Sequence, residues 1–122
     1  MKKILLLEDD RFLIHIYRAK LLKLGYDITM LPNGLNALKT ALDMRPDLIV
    51  TDIIMPEKDG FAVISEIKAH PETNHIPIIV LTNLSQDADK KKVANLGAEI
   101  FLVKADLSFA QVVEQIKKVL GE

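Results

Sequence analysis

Five short apolar runs, each followed by a longer stretch of helical period, constrain this 122-residue chain more than any other feature. The first run is Ile4–Leu7. Four consecutive apolar residues leave no polar face, so as a strand the run has to be covered on both sides. Residues 11–24 follow, with Leu13, Ile16, Tyr17, Leu21 and Leu24 at helical spacing and Gly25 as a stop. Asp27–Leu31 reads as a second strand. Pro32, Asn33 and Gly34 form a turn, and Leu35, Leu38 and Leu42 mark a second helix. Pro46 precedes a third strand, Asp47–Thr51, and Phe61, Val63, Ile64 and Ile67 give a third helix. Pro77 opens a fourth strand, Ile78–Leu81. The helix over residues 86–96 is polar, with only Val93, Ala94 and Leu96 to anchor it. Glu99–Val103 is the fifth strand, and Phe109, Val112, Val113, Ile116, Val119 and Leu120 form the stripe of the last helix.

Buried strands that alternate with helices require an α/β fold, a parallel sheet with helices on both faces. Right-handed crossovers leave few topologies, and a five-stranded doubly wound sheet is favoured. The length suits one domain, 1–122, and no linker, repeat or low-complexity tract divides it. With 16 basic and 17 acidic residues the formal charge is −1, so no global field draws the chain to nucleic acid or an anionic membrane. The absence of cysteine excludes disulfides and zinc thiolates. The N-terminal MKKILLL is too short for a secretory segment, which takes roughly 7–15 apolar residues, or for a membrane helix of about 20. The expectation is a cytoplasmic protein.

In a sheet of this kind function gathers beyond the C-terminal ends of the strands. Those ends carry Glu8, Asp9 and Asp10 after the first strand, Asp52 after the third, Thr82 and Asn83 after the fourth and Lys104 after the fifth. Singly, each reads as a solvated loop residue or a helix cap; Asp9 and Asp10 both suit the first turn of the following helix. Together they imply several carboxylates crowded on one rim, where repulsion raises pKa values unless a cation neutralises them. A hard divalent ion with oxygen ligands satisfies that need, and Mg2+ (or Mn2+) fits.

With Glu8-Asp9, the segment Asp52-Ile53-Ile54-Met55-Pro56-Glu57-Lys58-Asp59-Gly60, Thr82 and Lys104 in this order, the whole chain resembles the receiver domains of two-component response regulators. The resemblance implies a flavodoxin-like (CheY-like) sheet of order 2-1-3-4-5 and a phosphorelay switch rather than an enzyme. It implies Asp52 as phosphoacceptor, forming an aspartyl phosphate. Asp9 would be a direct metal ligand, Glu8 would act through a metal-bound water, and the backbone carbonyl of Ile54 would complete the set. Lys104 would neutralise charge, Thr82 would bond the phosphoryl oxygen, and Phe101 would turn inward with Thr82. A histidine kinase or histidine phosphotransfer protein would be the donor. A downstream effector protein would be reached through the face of helix four, strand five and helix five, as monomer or phosphorylation-dependent dimer. With no output domain in its 122 residues, the chain would regulate through another protein.

Two positions depart from the family pattern. Ala105 follows Lys104 where proline, often cis, is usual; a cis bond without proline costs roughly 2.5–4 kcal/mol, so either the strain is kept or the loop differs. Asn83 follows Thr82 where a small residue is usual, and is expected to narrow access to the phosphoryl group. Ile54 and Leu84, two residues beyond Asp52 and Thr82, are apolar and cannot orient water, which predicts slow self-dephosphorylation. His15, His70 and His75 lack ligand spacing, and Lys90-Lys91-Lys92 reads as a solvated helix face. The alternatives are a pseudo-receiver that binds partners without phosphorylation and a haloacid-dehalogenase-like phosphatase. The phosphatase needs a second acid two residues beyond the nucleophile, where Ile54 stands. A flavin-binding module is opposed by Glu8-Asp9-Asp10, which would repel its phosphate.

Overall fold

A computed structural model describes residues 1–122. Its elements are β1 (Lys3–Leu7), α1 (Arg11–Lys23), β2 (Asp27–Leu31), α2 (Ala37–Met44), β3 (Leu48–Thr51), α3 (Gly60–Ala69), β4 (Ile78–Thr82), α4 (Asp87–Leu96), β5 (Ile100–Val103), a 3-10 turn (Lys104–Asp106) and α5 (Phe109–Leu120). All strand pairs are parallel, and their order is β2-β1-β3-β4-β5. This is the expected flavodoxin-like topology.

Successive residues of a strand point to opposite faces, so each apolar run feeds two cores. Leu5, Leu7, Ile49, Ile78 and Val80 pack with Ala37 and Ala41 of α2, Val63, Ile64 and Ile67 of α3 and Val93 of α4. Ile4, Leu6, Leu48, Val50, Ile79, Leu81 and Leu102 pack with Tyr17 and Leu21 of α1 and Val112, Val113 and Ile116 of α5. Tyr17 also stacks on Phe109, with ring centroids 5.7 Å apart, which joins α1 to α5. No helix is long and apolar enough to cross a membrane.

Several element ends differ from the sequence reading, each for a local reason. Asp47 lies just before β3, where its N–H donates to Lys3 O and its side chain accepts the Lys3 N–H, each at 2.8 Å. Glu99 is not in β5; its carboxylate accepts the Ile78 N–H at 2.5 Å and pairs with Lys68 at 3.2 Å. Leu24 is exposed rather than part of the α1 stripe, since it caps the helix and Gly25, at φ +92°, turns the chain away. Leu35 is also exposed: Asn33 accepts its N–H at 2.9 Å in the preceding turn, and α2 starts two residues later. Lys92 is not a purely solvated cation, for its Nζ lies 4.1 Å from the centre of the Phe61 ring and links α4 to α3.

Candidate phosphoacceptor site

The parallel ladder runs past the ends of β1 and β3 and places the two buried acids. Glu8 N–H donates to Leu31 O at 3.0 Å, and Asp52 N–H donates to Leu7 O at 3.1 Å. Both side chains are thereby fixed at the rim, with Glu8 2% and Asp52 7% exposed. The exposed carboxylate of Asp9 joins them, and one oxygen of each of the three lies within 4.8 Å of the others.

Asp10 takes the other role foreseen for these acids. Its Oδ1 accepts from Phe12 N–H at 2.9 Å and Leu13 N–H at 3.2 Å, capping α1. The two neighbouring aspartates thus divide the tasks that the sequence left open between them.

Lys104 closes the cluster. Its Nζ stands 2.5 Å from Glu8 Oε1 and 2.6 Å from Asp52 Oδ2, and the side chain is 12% exposed. Glu8 Oε2 accepts the Asp10 N–H at 3.1 Å, and Asp52 Oδ1 accepts the Ile53 N–H at 2.6 Å. Burial pushes the Glu8 carboxyl above its usual range and the nearby Asp52 charge adds to this, against the opposing pull of Lys104 and the Asp10 amide. For Lys104, burial works against the ammonium, but the hydrogen bonds to Asp52 and Glu8 outweigh it and leave its pKa raised. Tyr17 is raised mainly by burial.

The donor set fits a hard divalent ion. Every ligand atom on offer is oxygen, and two of the three acids are buried where only Lys104 offsets their charge. No protein group donates to the backbone carbonyl of Ile54, and the residue is 62% exposed.

Gly60 allows the β3–α3 loop to close beneath this rim. A Cβ there would collide with the Asp52 carbonyl and sit 2.7 Å from Ile53 Cα, while Gly60 N–H donates to Ile53 O at 2.8 Å. Asp59 caps α3 through its bond from Ala62 N–H at 2.9 Å.

The remaining predicted residues lie on the β4 and β5 side. Thr82 is buried, and its Oγ1 accepts the Leu84 N–H at a long 3.4 Å. Leu84 and Phe101 are half-buried and pack on the core shared by α2, α3 and α4. The Lys104–Ala105 bond is trans, since the chain has no cis peptide bond, and the loop differs by turning through the 3-10 helix instead. Asn83 is exposed and directs its Oδ1 to the Ala105 N–H at 3.1 Å. That bond and the Ile53 amide were not read from sequence. A backbone amide has no sequence signature, whereas Asn83 and Ala105 were each visible as departures. The open groove at the end of α5, lined by Glu114, Gln115, Lys117, Lys118 and Glu122, shares no residue with the rim.

The class of protein is thus an open parallel α/β sheet with carboxylates gathered around one ammonium at its C-terminal edge. Residues 4–117 match the response regulator receiver domain family. The chain is 33% identical, over 99% of its length and 98% of the relative's, to the polar-differentiation response regulator DivK of Brucella anthropi. It superposes with a TM-score of 0.89 on the receiver domain of a signal transduction histidine kinase from Syntrophus aciditrophicus, at 31% identity over 99% of this chain and 91% of that one. The receiver domain of a sensor histidine kinase from Pseudomonas aeruginosa gives a TM-score of 0.88 at 29% identity, covering 99% and 98%; its structure has magnesium coordinated in the active-site cleft. This chain belongs to the response regulator receiver family and is a module of two-component signalling.

Proposed function

We propose that the chain accepts a phosphoryl group on Asp52 in a divalent-metal-dependent reaction and thereby switches the α4–β5–α5 face. The observation that carries this reading is the Lys104 ammonium held between Glu8 and Asp52, with Asp9 completing a cluster of three oxygen ligands. Asp9 and Asp52 would hold Mg2+ or Mn2+ directly, with Glu8 through a water and Ile54 through its carbonyl. Bound there, the ion would supply charge neutralisation on the phosphoryl oxygens.

An oxygen of the Asp52 carboxylate attacks phosphorus. The new P–O bond forms as the bond to the donor breaks, and the departing electron pair stays on the donor, a histidine nitrogen in a kinase or phosphotransfer protein. Lys104 has three N–H donors, of which Glu8 and Asp52 use two, so one remains for a phosphoryl oxygen. Thr82 supplies a hydroxyl on the neighbouring strand end; its present contact with the Leu84 amide is long and easily given up.

A switch from about 1:99 to 99:1 needs about 5.5 kcal/mol of differential interaction. One charge-assisted bond supplies roughly 1.5–3 kcal/mol, so packing around Phe101 and Leu84 must provide the rest. The helix suited to move is α4, with Val93 as its sole buried residue. The output would be binding of an effector protein in the cytoplasm.

The test is to incubate the protein with acetyl phosphate and Mg2+ and weigh it intact. A gain of one phosphoryl group, absent in Asp52→Ala and abolished by chelation, is the expected result. No gain in the parent protein would overturn the reading and favour a binding module that works without phosphorylation.

A further inference from the structure

We infer that Asn83 is a positioning residue that ties the hydroxyl-bearing loop after β4 to the ammonium-bearing turn after β5. The inference rests on the phosphoacceptor reading for its consequence, but its physical basis is independent of that reading. The β4–β5 ladder ends at the Thr82–Val103 pair. Beyond that pair the main chains no longer bond, yet the N–H of Ala105, two residues past Val103, donates at 3.1 Å to Oδ1 of Asn83, one residue past Thr82. A side chain thus extends the join by one step.

The two residues joined are the immediate neighbours of the two that matter. Asn83 follows Thr82, and Ala105 follows Lys104 within the 3-10 turn. Amides in the first turn of a helix lack an intrahelical partner, so the exposed Ala105 N–H is free to take an outside acceptor. The Asn83 carboxamide provides one, which holds the turn at a fixed distance from β4. Lys104 must reach Glu8 and Asp52 at once, and its long side chain loses rotamer freedom in doing so. Fixing its backbone anchor lowers that loss and aims the ammonium and the Thr82 hydroxyl at one place.

Asn83 is exposed, so its role is not core packing and substitutions there leave the fold intact. An isolated hydrogen bond of this kind corresponds to roughly a three- to tenfold effect on a rate that depends on the geometry. The bond also makes the two loops report on each other. Displacement of the β4 end when Thr82 changes partner would pull on the turn that carries Lys104.

The experiment compares Asn83→Leu, of similar size without an acceptor, with Asn83→Asp, which retains an acceptor oxygen. Amide exchange of Ala105 is followed by NMR, beside phosphoryl acceptance from acetyl phosphate at saturating Mg2+ and the Mg2+ affinity. In the parent and in Asn83→Asp the Ala105 amide should be protected; in Asn83→Leu it should exchange roughly tenfold faster or more. Asn83→Leu should accept phosphoryl groups three- to tenfold more slowly, with melting temperature unchanged and Mg2+ affinity the same or slightly tighter as the Lys104 contacts loosen. A parent rate retained in Asn83→Leu, or an Ala105 amide equally protected in all three, would overturn the inference. If the parent itself accepts no phosphoryl group, the functional proposal fails, and the exchange measurement still decides whether the bond couples the loops.

Discussion

Replacing Lys104 by methionine should tighten divalent-metal binding while it slows phosphoryl acceptance. The ammonium neutralises Glu8 and Asp52 from 2.5 Å and 2.6 Å. A metal ion entering among Glu8, Asp9 and Asp52 competes for the same oxygens, so at least one of those contacts is surrendered on binding. A charge-assisted contact of this type is worth about 1.5–3 kcal/mol. At about 1.4 kcal/mol per tenfold, its removal should lower the Mg2+ dissociation constant by roughly ten- to a hundredfold. Repulsion between ammonium and metal, also removed, acts in the same direction. The assay is calorimetric titration with Mg2+ at pH 8. Alkaline pH is chosen because Glu8, raised mainly by burial, loses the opposing pull of Lys104 in the variant and holds its proton more firmly. The metal-free variant should also be less stable by about 3 kcal/mol, since buried acids are left facing one another, and Mg2+ should recover much of this. An unchanged or weakened affinity in Lys104→Met would show that the lysine does not compete for the acids, and the electrostatic account of the rim would fail.

Asp9→Ala should abolish Mg2+ binding at millimolar concentrations with little change in stability. Asp10→Ala should cost about 1 kcal/mol through loss of the α1 cap and leave Mg2+ binding intact; titration and denaturant melts read both. Tyr26, whose hydroxyl donates to Glu122 at 2.7 Å, has its pKa pushed up from 10.0 to about 12, first by burial and then by that bond. The folded state therefore holds this proton more tightly than the unfolded chain, so the stability it contributes is complete below pH 10 and disappears as pH rises toward 12. Denaturant midpoints of the parent and Tyr26→Phe should diverge below that window and converge above it. Ile54→Asn together with Leu84→Glu should speed decay of an aspartyl phosphate several-fold by giving water a polar partner, as read from phosphate release; unchanged decay would refute the expectation that these apolar side chains slow hydrolysis.

The fold was legible because burial on both faces is written into Ile4–Leu7, Leu48–Val50 and Ile78–Leu81 as unbroken apolar sequence, and the sheet splits these same residues between two cores. Glu8, Asp9, Asp52 and Lys104 could be brought to one edge from topology alone, because each follows a strand of a parallel sheet. Other features depended on distances. As residue types Asp9 and Asp10 could each cap α1, while the resemblance named Asp9 for the metal; the geometry of the first α1 turn makes Asp10 the cap and leaves Asp9 in the cluster. Asn83 read as bulk, but its carboxamide acts through an amide 22 residues away. Asp47 and Glu99 read as strand residues, although their side chains bond the amides of neighbouring strands at the opposite end of the sheet. Long-range polar contacts of this sort have no period and leave no pattern along the chain.

The division of the interior by the sheet has a bearing on how the molecule can change over time. Val93, Phe101 and Leu84 belong to one compartment, while Tyr17, Leu102 and the apolar residues of α5 belong to the other. Side chains in one layer are separated from those of the other by the strand backbone, so a replacement acts first on the packing of its own side. The two layers come together along β5, the last strand of the sheet, where Phe101 belongs to the layer of α4 and Leu102 to that of α5, so a face built there draws on both.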